Sequence, residues 1–380
     1  MGLRTDLEQS VREALELAGA DYYANLSTVL GDARRLGLLL SSQSSSSSSS
    51  QAIDSSFDHW HIQYWGEKLI GRYGYHYNGM MNRAFPGIHP MTVYDLTDGC
   101  FVLITPPSFD STEDVTAGDA IRLCEERLGI RMASIRGDRG TGSVELTRSL
   151  AQREQELKEG ALIPDGSPPK PPMTYYLAIK ANSVLRRHIR GRGWVTDDEE
   201  TSERACLRQG VDYHGVRTNL VALSKQDRKD PSKRRTFLFI TNDESTDDPF
   251  QILEQYRMRG EHERNLGCLS ALGVKHLPST ENEKEIAGHL LTFIKLQFLF
   301  MLLRERLGIA ENCEPRTLVN LLLRRPGMSW VEEGPDCEER RRTIIFANRA
   351  VIKKVGRTTL RFEGHEVTLI EQWRGHRRRP

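Results

Sequence analysis

Paired cysteines and net charge are both scarce in this chain of 380 residues. The six cysteines form no Cys-x-x-Cys pair, which argues against a structural zinc site or a disulfide framework and favours a reduced, cytoplasmic location. The net charge is only +1, so no overall positive field draws the protein to nucleic acid, and only local basic patches could do so.

An uninterrupted apolar run of membrane length is also missing. The most apolar stretch, 286–303, is interrupted by His289, Lys295 and Gln297, so we expect a buried core helix and no membrane partner. The first residues contain no apolar segment of the kind found in signal peptides. These absences leave an ordinary globular protein.

Apolar periodicity and turn residues predict an α/β fold. Asp98-Gly99 lies between two β-prone runs and predicts a hairpin, while residues 117–129 have the spacing of an amphipathic helix. The acidic stretch 195–207 resembles a loop. Further strands are expected at 131–136, 175–180, 215–223, 236–241, 342–347, 358–362 and 366–370, and helices at 3–40, 143–158 and 249–308.

A polar stripe is the most specific feature of the chain. Tyr256, Arg259 and Glu263 stand at i, i+3 and i+7, positions that share one face of an α-helix. A phenol, a guanidinium and a carboxylate are costly on a core face but suit a site that handles phosphates. Glu261 is the alternative carboxylate, and its spacing from Arg259 fits less well.

Two aspartates precede this stripe in strand-like surroundings. Asp58 lies in the run 57–66, and Asp138 follows the short strand at 131–136. Asp54 is an alternative to Asp58. Carboxylates on two strands and a helix can meet at one sheet edge, where they would offer the oxygen ligands that Mg²⁺ prefers. Two such ions roughly 3.5–4 Å apart support phosphoryl transfer.

Taken together, these residues resemble an insertion-sequence DDE transposase with a retroviral-integrase-like, RNase H-like catalytic domain. The resemblance rests on Asp58 before Tyr64-Trp65-Gly66, on Gly137-Asp138-Arg139-Gly140, and on the Tyr256, Arg259 and Glu263 signature. It favours Asp58 over Asp54 as the first aspartate, because the distance from Asp58 to Tyr64-Trp65-Gly66 fits the family pattern better. It covers residues 53–307. Two positions depart from the family pattern: Ser270 stands where a lysine is usual, with Lys275 nearby, and Thr141 stands where an aromatic residue is usual.

The resemblance implies a fold and a domain order. The fold is α/β, an RNase H-like mixed sheet flanked by helices and interrupted by a β-rich insertion, with an N-terminal helical piece. The implied segments are an N-terminal helical region (1–40), a serine-rich linker (41–51), the first part of the catalytic domain (52–160), the β-rich insertion (161–247), the second catalytic part (248–308) and a β-containing basic tail (309–380).

The resemblance also implies roles for named residues. Asp58 and Asp138 would ligate both Mg²⁺ ions and Glu263 one of them, with Mn²⁺ able to substitute. Arg259 would hold a backbone phosphate through paired hydrogen bonds, and Tyr256 would contact a phosphate or a displaced base. Further DNA contacts are expected from Arg139, Lys275 and Trp194.

The expected partner is double-stranded DNA, both the terminal inverted repeats of the element and its target, bound by a homodimer in the nucleoid of a prokaryotic cell. Basic segments at 186–192, 225–235 and 374–379 would contact phosphates without reading sequence. Two alternatives remain open: a catalytically inactive DNA-binding remnant, and a metal-dependent nuclease or phosphoesterase on the same fold. Convergence of the three carboxylates would separate the first from an active enzyme.

Overall fold

A computed structural model describes most of the chain. The described residues are 2–39, 52–63, 74–78, 83–106, 115–158, 173–191, 193–197, 203–227, 230, 232–269, 282–309, 313, 317, 327–333, 339–347, 352–353, 355, 359–362 and 365–371.

Eight helices and sixteen strands are assigned within those residues. The helices are α1 (Gly2–Ala20), α2 (Tyr22–Arg35), α3 (Ala117–Leu128), α4 (Val144–Lys158), α5 (Ser183–Ile189), α6 (Pro249–Arg257), α7 (Arg259–Leu269) and α8 (Glu283–Leu307). The strands are β1 (Ala52–His59), β2 (Ile62–Gln63), β3 (Gly74–Asn78), β4 (Arg83–Ile88), β5 (Met91–Asp95), β6 (Cys100–Ile104), β7 (Arg131–Gly137), β8 (Thr174–Ile179), β9 (Val195–Thr196), β10 (Arg204–Tyr213), β11 (Val216–Gln226), β12 (Arg234–Thr241), β13 (Gly327–Glu333), β14 (Glu339–Ala347), β15 (Thr359–Phe362) and β16 (His365–Glu371).

A nine-stranded mixed sheet is the main element of the fold. Its strand order is β6-β5-β1-β7-β8-β12-β11-β10-β9. Strands β1, β7 and β8 run parallel in its centre, and antiparallel strands extend it on both sides. With its flanking and N-terminal helices, this sheet confirms the predicted α/β class.

The register of the parallel strands positions two of the predicted site residues. Phe57 of β1 lies opposite Gly137 of β7. Because the two strands are parallel, the residues that follow, Asp58 and Asp138, emerge at the same edge of the sheet.

Several local signals in the sequence produce the expected elements. The predicted hairpin joins β5 to β6, and Gly99 takes the left-handed φ of 68° that its turn requires. Helix α3 begins with a capping box between Thr116 and Asp119, and it ends at Gly129 in the left-handed conformation. These residues fix the hairpin turn and both ends of α3, which precede β7 in the chain.

Several strands were not anticipated. The acidic stretch expected to be a loop includes β9 and the start of β10, and β10 pairs with β11. Buried Ala205 and Cys206 follow the charged residues Glu203 and Arg204, so local charge conceals the strand pattern. Strand β13 in the C-terminal region was also missed. Strands β8 to β12, which lie in the segment proposed as an insertion, continue the main sheet and form no separate one.

The N-terminal helices pack against the domain that carries this sheet. The Tyr22 hydroxyl donates to the carbonyl of Ile104 in β6 at 2.5 Å, and Leu26 and Leu30 are buried. Helix α1 approaches α8 closely at Gly19 and Gly288, where a β-carbon on either glycine would collide with the backbone of Lys284 or Leu15. The two N-terminal helices, α1 and α2, therefore belong to the same compact unit as the main sheet.

The chain divides into two compact units. The first comprises Met1–Asn265 and His276–Ile294, and the second Leu266–Lys275 and Lys295–Pro380. The second contains a four-stranded sheet of order β13-β14-β16-β15. Among the described residues, α8 is the one helix long and apolar enough to span a membrane by length and composition. Its Ile286, Leu290 and Leu291 are fully buried within the first unit, while Leu296 and Leu299 are exposed.

Candidate active site

Three acidic side chains meet around the guanidinium of Arg259. Its Nη2 lies 2.7 Å from Asp58 Oδ2 and 4.0 Å from Asp138 Oδ2, and its Nη1 lies 2.5 Å from Glu263 Oε1. Asp58 comes from β1, Asp138 follows β7, and Arg259 and Glu263 lie on α7. The structure thus brings together the four residues on which the sequence prediction depended most.

A tight turn fixes the Asp138 carboxylate. Its Oδ1 accepts hydrogen bonds from the backbone of Gly140 (2.8 Å) and Thr141 (2.9 Å) and from the Thr141 hydroxyl (3.2 Å). Gly137 permits this turn, since a side chain there would lie 2.6 Å from Thr141 Cγ2. Thr141, at the position where the family usually has an aromatic residue, therefore orients the second aspartate.

The polar stripe spans two helices, although the sequence indicated one. Helix α6 ends at Arg257 and α7 begins at Arg259. The intervening Met258 keeps right-handed helical angles, so the direction of the chain is preserved and Glu263 stays within reach of Arg259. Tyr256 is half-buried and packs on Phe239 with ring centroids 4.6 Å apart.

Burial and charge shift the pKa values of these groups in different directions. Burial raises the pKa of Asp58 to about 6, and the nearby carboxylates add to this, although Arg259 opposes it. Burial also acts to raise the pKa of Asp138, but hydrogen bonds from Thr141 and Gly140, with Arg259, lower it below its usual value. Burial acts to lower the pKa of Arg259, but the surrounding acidic groups outweigh burial and raise that pKa above its usual value.

A buried histidine between the two candidate glutamates was not predicted. His262 is fully buried, with Nδ1 3.1 Å from Ser56 Oγ and Nε2 2.8 Å from Thr92 Oγ1. The Thr92 hydroxyl donates to the backbone carbonyl of Asp58 at 2.7 Å. Because the hydroxyl proton of Thr92 is used in that bond, His262 Nε2 must donate to Thr92 and Nδ1 must accept from Ser56.

This histidine attaches the helix of Glu263 to the strand of Asp58. Its ring also stacks on Tyr94 with centroids 5.4 Å apart. Burial, with a smaller effect of Arg259, lowers the pKa of His262 to about 3, so the ring is neutral at physiological pH. Because His262 points into the sheet, Glu261 and Glu263 diverge, and Glu263 is the one that reaches Arg259. No apolar spacing marked His262 in the sequence.

Asp54, the alternative first aspartate, lies in a different cluster. Its Oδ1 accepts from Ser134 Oγ at 2.5 Å and lies 3.9 Å from Arg136 Nη1. Arg136 is buried, donates twice to Gln255 (2.6 and 2.8 Å), and lies over the ring of Tyr176. Asp54 is therefore paired away from Asp138, which supports the preference for Asp58.

The other residues predicted to bind DNA are dispersed. Arg139 is exposed beside Asp138 and lies over the Phe237 ring at 5.5 Å. Trp194 precedes β9 at the far edge of the sheet, five strands from β7, so it is not brought to the carboxylates. Lys275, Ser270 and Tyr64-Trp65-Gly66 lie outside the described residues.

Several basic residues of the predicted phosphate-binding segments already have acidic partners. Lys225 lies 2.6 Å from Glu203, Arg235 lies 2.5 Å from Asp227, and Lys233 lies 2.9 Å from Asp230. Such pairs are weak at exposed positions. The segment 374–379 lies outside the described residues.

The three carboxylates offer the oxygen ligands that Mg²⁺ prefers, but they are not arranged in a geometry that would bind it. Across the part of the chain that the structure describes, no three His, Cys, Asp or Glu side chains are grouped closely enough to hold a metal ion. The guanidinium of Arg259 lies among the oxygens that an ion would need. As they are positioned, these residues do not fit the expected metal pair.

No family model matches the chain, and no curated protein matches it. Among solved structures, the crystal structure of the C-terminal lobe of a budding yeast Argonaute shares 12% sequence identity with a TM-score of 0.24. The match covers 69% of this chain and 50% of that one, so the chain spans about half the length of that structure. A TM-score this low assigns neither fold nor function.

Proposed function

We propose that this protein is a DDE transposase that cleaves the ends of an insertion sequence and joins them to target DNA. One observation carries the proposal: Asp58, Asp138 and Glu263, in the order of the family signature, all lie within 4.0 Å of Arg259. Two parallel strands and a helix converge at one sheet edge to achieve this. The mixed sheet with a parallel centre supports an RNase H-like core.

The proposed cofactor is Mg²⁺, with Mn²⁺ able to replace it. Bound there, such ions would stabilise the charge on the attacking and leaving oxygens of the DNA backbone. The proposed part of Asp138 is to present Oδ2, since Oδ1 is engaged by Gly140 and Thr141. His262 would hold Glu263 and Asp58 at a constant separation through Ser56 and Thr92.

The proposed partner is double-stranded DNA, bound by a homodimer. Arg259 would contact a backbone phosphate, and exposed Arg139 beside Asp138 is placed to contact another. Such contacts fix the position of the duplex without reading its sequence.

The test uses the DNA that flanks the gene in its genome. A duplex carrying inverted repeats from those flanks is incubated with the protein and Mg²⁺ or Mn²⁺, and strand cleavage is followed on a denaturing gel. We expect cleavage at the repeat ends, lost in Asp138→Asn while binding to the duplex is largely kept. Full activity of Asp138→Asn would remove that residue from the mechanism.

One observation favours a second candidate, a DNA-binding remnant without catalysis. The three carboxylates do not form a metal site among the described residues, and Arg259 lies between them. Binding of the repeats without cleavage under any divalent metal would support the remnant.

A further inference from the structure

The position of Arg259 differs from what a simple phosphate contact requires. A side chain that only contacts DNA phosphates would be expected to face solvent in the free protein. Arg259 is instead 12% exposed and directed at carboxylates. Both of its terminal nitrogens are occupied by Asp58 and Glu263. The guanidinium therefore uses oxygens that a divalent ion would also need.

The charges in this cluster do not balance. Three carboxylates surround a single guanidinium, which leaves excess negative charge at a partly buried position. A divalent cation would compensate that charge better than one arginine can, since the attraction grows with the charge of the cation.

We propose that Arg259 occupies the place of the metal in the free protein, and that duplex DNA draws its guanidinium onto a backbone phosphate, which makes the carboxylates available to divalent ions. This inference rests on the proposed function, because it uses the same site. DNA binding and metal binding are then coupled: each increases the affinity for the other by the same factor.

The local structure allows this exchange. Arg259 is the first residue of α7, and its long side chain can change rotamer without disturbing the helix. Its Nε is buried and makes no hydrogen bond among the described residues, so leaving the cluster restores a donor to solvent or phosphate. A phosphate accepts the same paired hydrogen bonds that the carboxylates now accept.

The test measures Mn²⁺ affinity by the electron paramagnetic resonance signal of the free ion, in the absence of DNA. We expect Arg259→Gln to bind Mn²⁺ with a dissociation constant about tenfold lower or more, since a positive charge within 4 Å of the ligands is removed. The matched control is Arg264→Gln, an exposed arginine of the same helix that lies 3.8 Å from Glu261; it should bind Mn²⁺ as the wild type does. Adding Asp138→Asn to Arg259→Gln should abolish the gain.

The coupling is tested on the wild-type protein, which needs no substitution to fold. A short duplex of arbitrary sequence supplies phosphates, and Asp138→Asn with the same duplex gives the baseline for ions held by DNA alone. Wild-type protein should bind Mn²⁺ more tightly with duplex, while Arg259→Gln should gain little.

Equal Mn²⁺ affinity of wild type and Arg259→Gln would overturn the proposal, as would a wild-type affinity that duplex does not change. Neither measurement depends on strand cleavage. Failure of the repeats to be cut would count against the proposed transposase and leave the exchange standing, whereas unchanged metal affinity beside normal cleavage would refute the exchange alone.

Discussion

Two regions of strand β1 each pair an aspartate with a partly or fully buried arginine, yet they differ in charge balance. Around Asp54, the guanidinium of Arg136 faces one carboxylate and is otherwise satisfied by neutral groups of Gln255 and Ser134. Around Asp58, the guanidinium of Arg259 faces three carboxylates. The two aspartates are four residues apart on the same face of the strand, about 13 Å at the usual rise.

The difference in charge balance distinguishes a structural contact around Asp54 from a candidate functional site around Asp58. Arg136 connects β7 to the carbonyl of Gln255 on α6, and a balanced, hydrogen-bonded group of this kind stabilises the native packing. The Asp58 region instead keeps an excess of one charge close to the sheet edge. Clusters of like charge are costly to stability and are found where function requires them.

The largest expected effect is on catalysis in the Asp58 region. Asp58→Asn should lower the rate of repeat-end cleavage by about 10³-fold or more, since several kcal/mol of transition-state stabilisation would be lost. Asp54→Asn, the matched control on the same strand, should keep cleavage detectable at a rate close to that of the wild type. Comparable loss in both variants would erase the distinction between the two regions.

The same variant should not lose stability. The pKa of Asp58 is raised to about 6 by burial, so the folded state binds the proton more tightly than the unfolded state. Stability therefore declines as pH rises between about 3.8 and 6, and an uncharged asparagine avoids that decline. Thermal unfolding at pH 7 should show Asp58→Asn at least as stable as the wild type; a clear loss would mean that the Arg259 pair is mainly structural.

The next effect in size concerns the Asp54 region. Arg136→Met should lower the free energy of unfolding by about 3 kcal/mol, because several hydrogen bonds from a buried charged group are lost. Chemical denaturation followed by circular dichroism measures this, and cleavage by the folded protein should remain detectable. An unfolding free energy unchanged by Arg136→Met would show that this cluster does not stabilise the fold.

A smaller, pH-dependent effect belongs to His262, which bonds to Ser56 between the two aspartates. Its pKa is lowered to about 3 by burial, so the unfolded state takes up the proton first as pH falls below about 6.5. Stability should fall by about 2 kcal/mol between pH 8 and pH 5 through this group, and continue to fall toward pH 3.

His262→Phe should remove that part of the pH dependence. The control is Tyr94→Phe, which deletes only the hydrogen bond that Asn265 Nδ2 donates to the Tyr94 hydroxyl at 2.6 Å and should leave the dependence intact. Urea denaturation at several pH values compares the three proteins. The same slope in wild type and His262→Phe would mean that another group is responsible.

The smallest effect should come from Glu261. Its partner Arg264 is 3.8 Å away and both side chains are exposed, so Glu261→Gln should change stability by no more than about 0.5 kcal/mol. Cleavage should stay close to the wild-type rate, while Glu263→Gln should lose it. Cleavage lost in Glu261→Gln and kept in Glu263→Gln would reverse the choice between the two glutamates.

Elements with strong local signals could be predicted from the sequence. Thr116 and Gly129 bracket α3, and Asp98-Gly99 forms the hairpin turn, because capping and turn chemistry act over a few residues. The grouping of Asp58, Asp138 and Glu263 followed from a family resemblance. Strand β10 escaped notice because its exposed face carries the charges that usually mark loops.

The partners of Arg259 and His262 could not be predicted. Arg259 and Asp58 are 201 positions apart, and no local pattern indicates that the arginine turns toward acids. His262 lies between two glutamates, surroundings typical of an exposed helix, yet the sheet buries it. The end of α6 at Arg257 could not be predicted either, because Met258 is not a helix-breaking residue and keeps helical backbone angles.

The close approach of α1 to α8 at Gly19 and Gly288 has a practical consequence for dissecting this protein. The serine tract joins two parts of one compact unit, since the helices before it and the sheet after it both belong there. A truncated form that starts at residue 52 would expose the surface now covered by Leu26 and Leu30 and leave the Ile104 carbonyl without the Tyr22 hydroxyl. The helical segment should therefore be retained in any minimal fragment that is meant to fold.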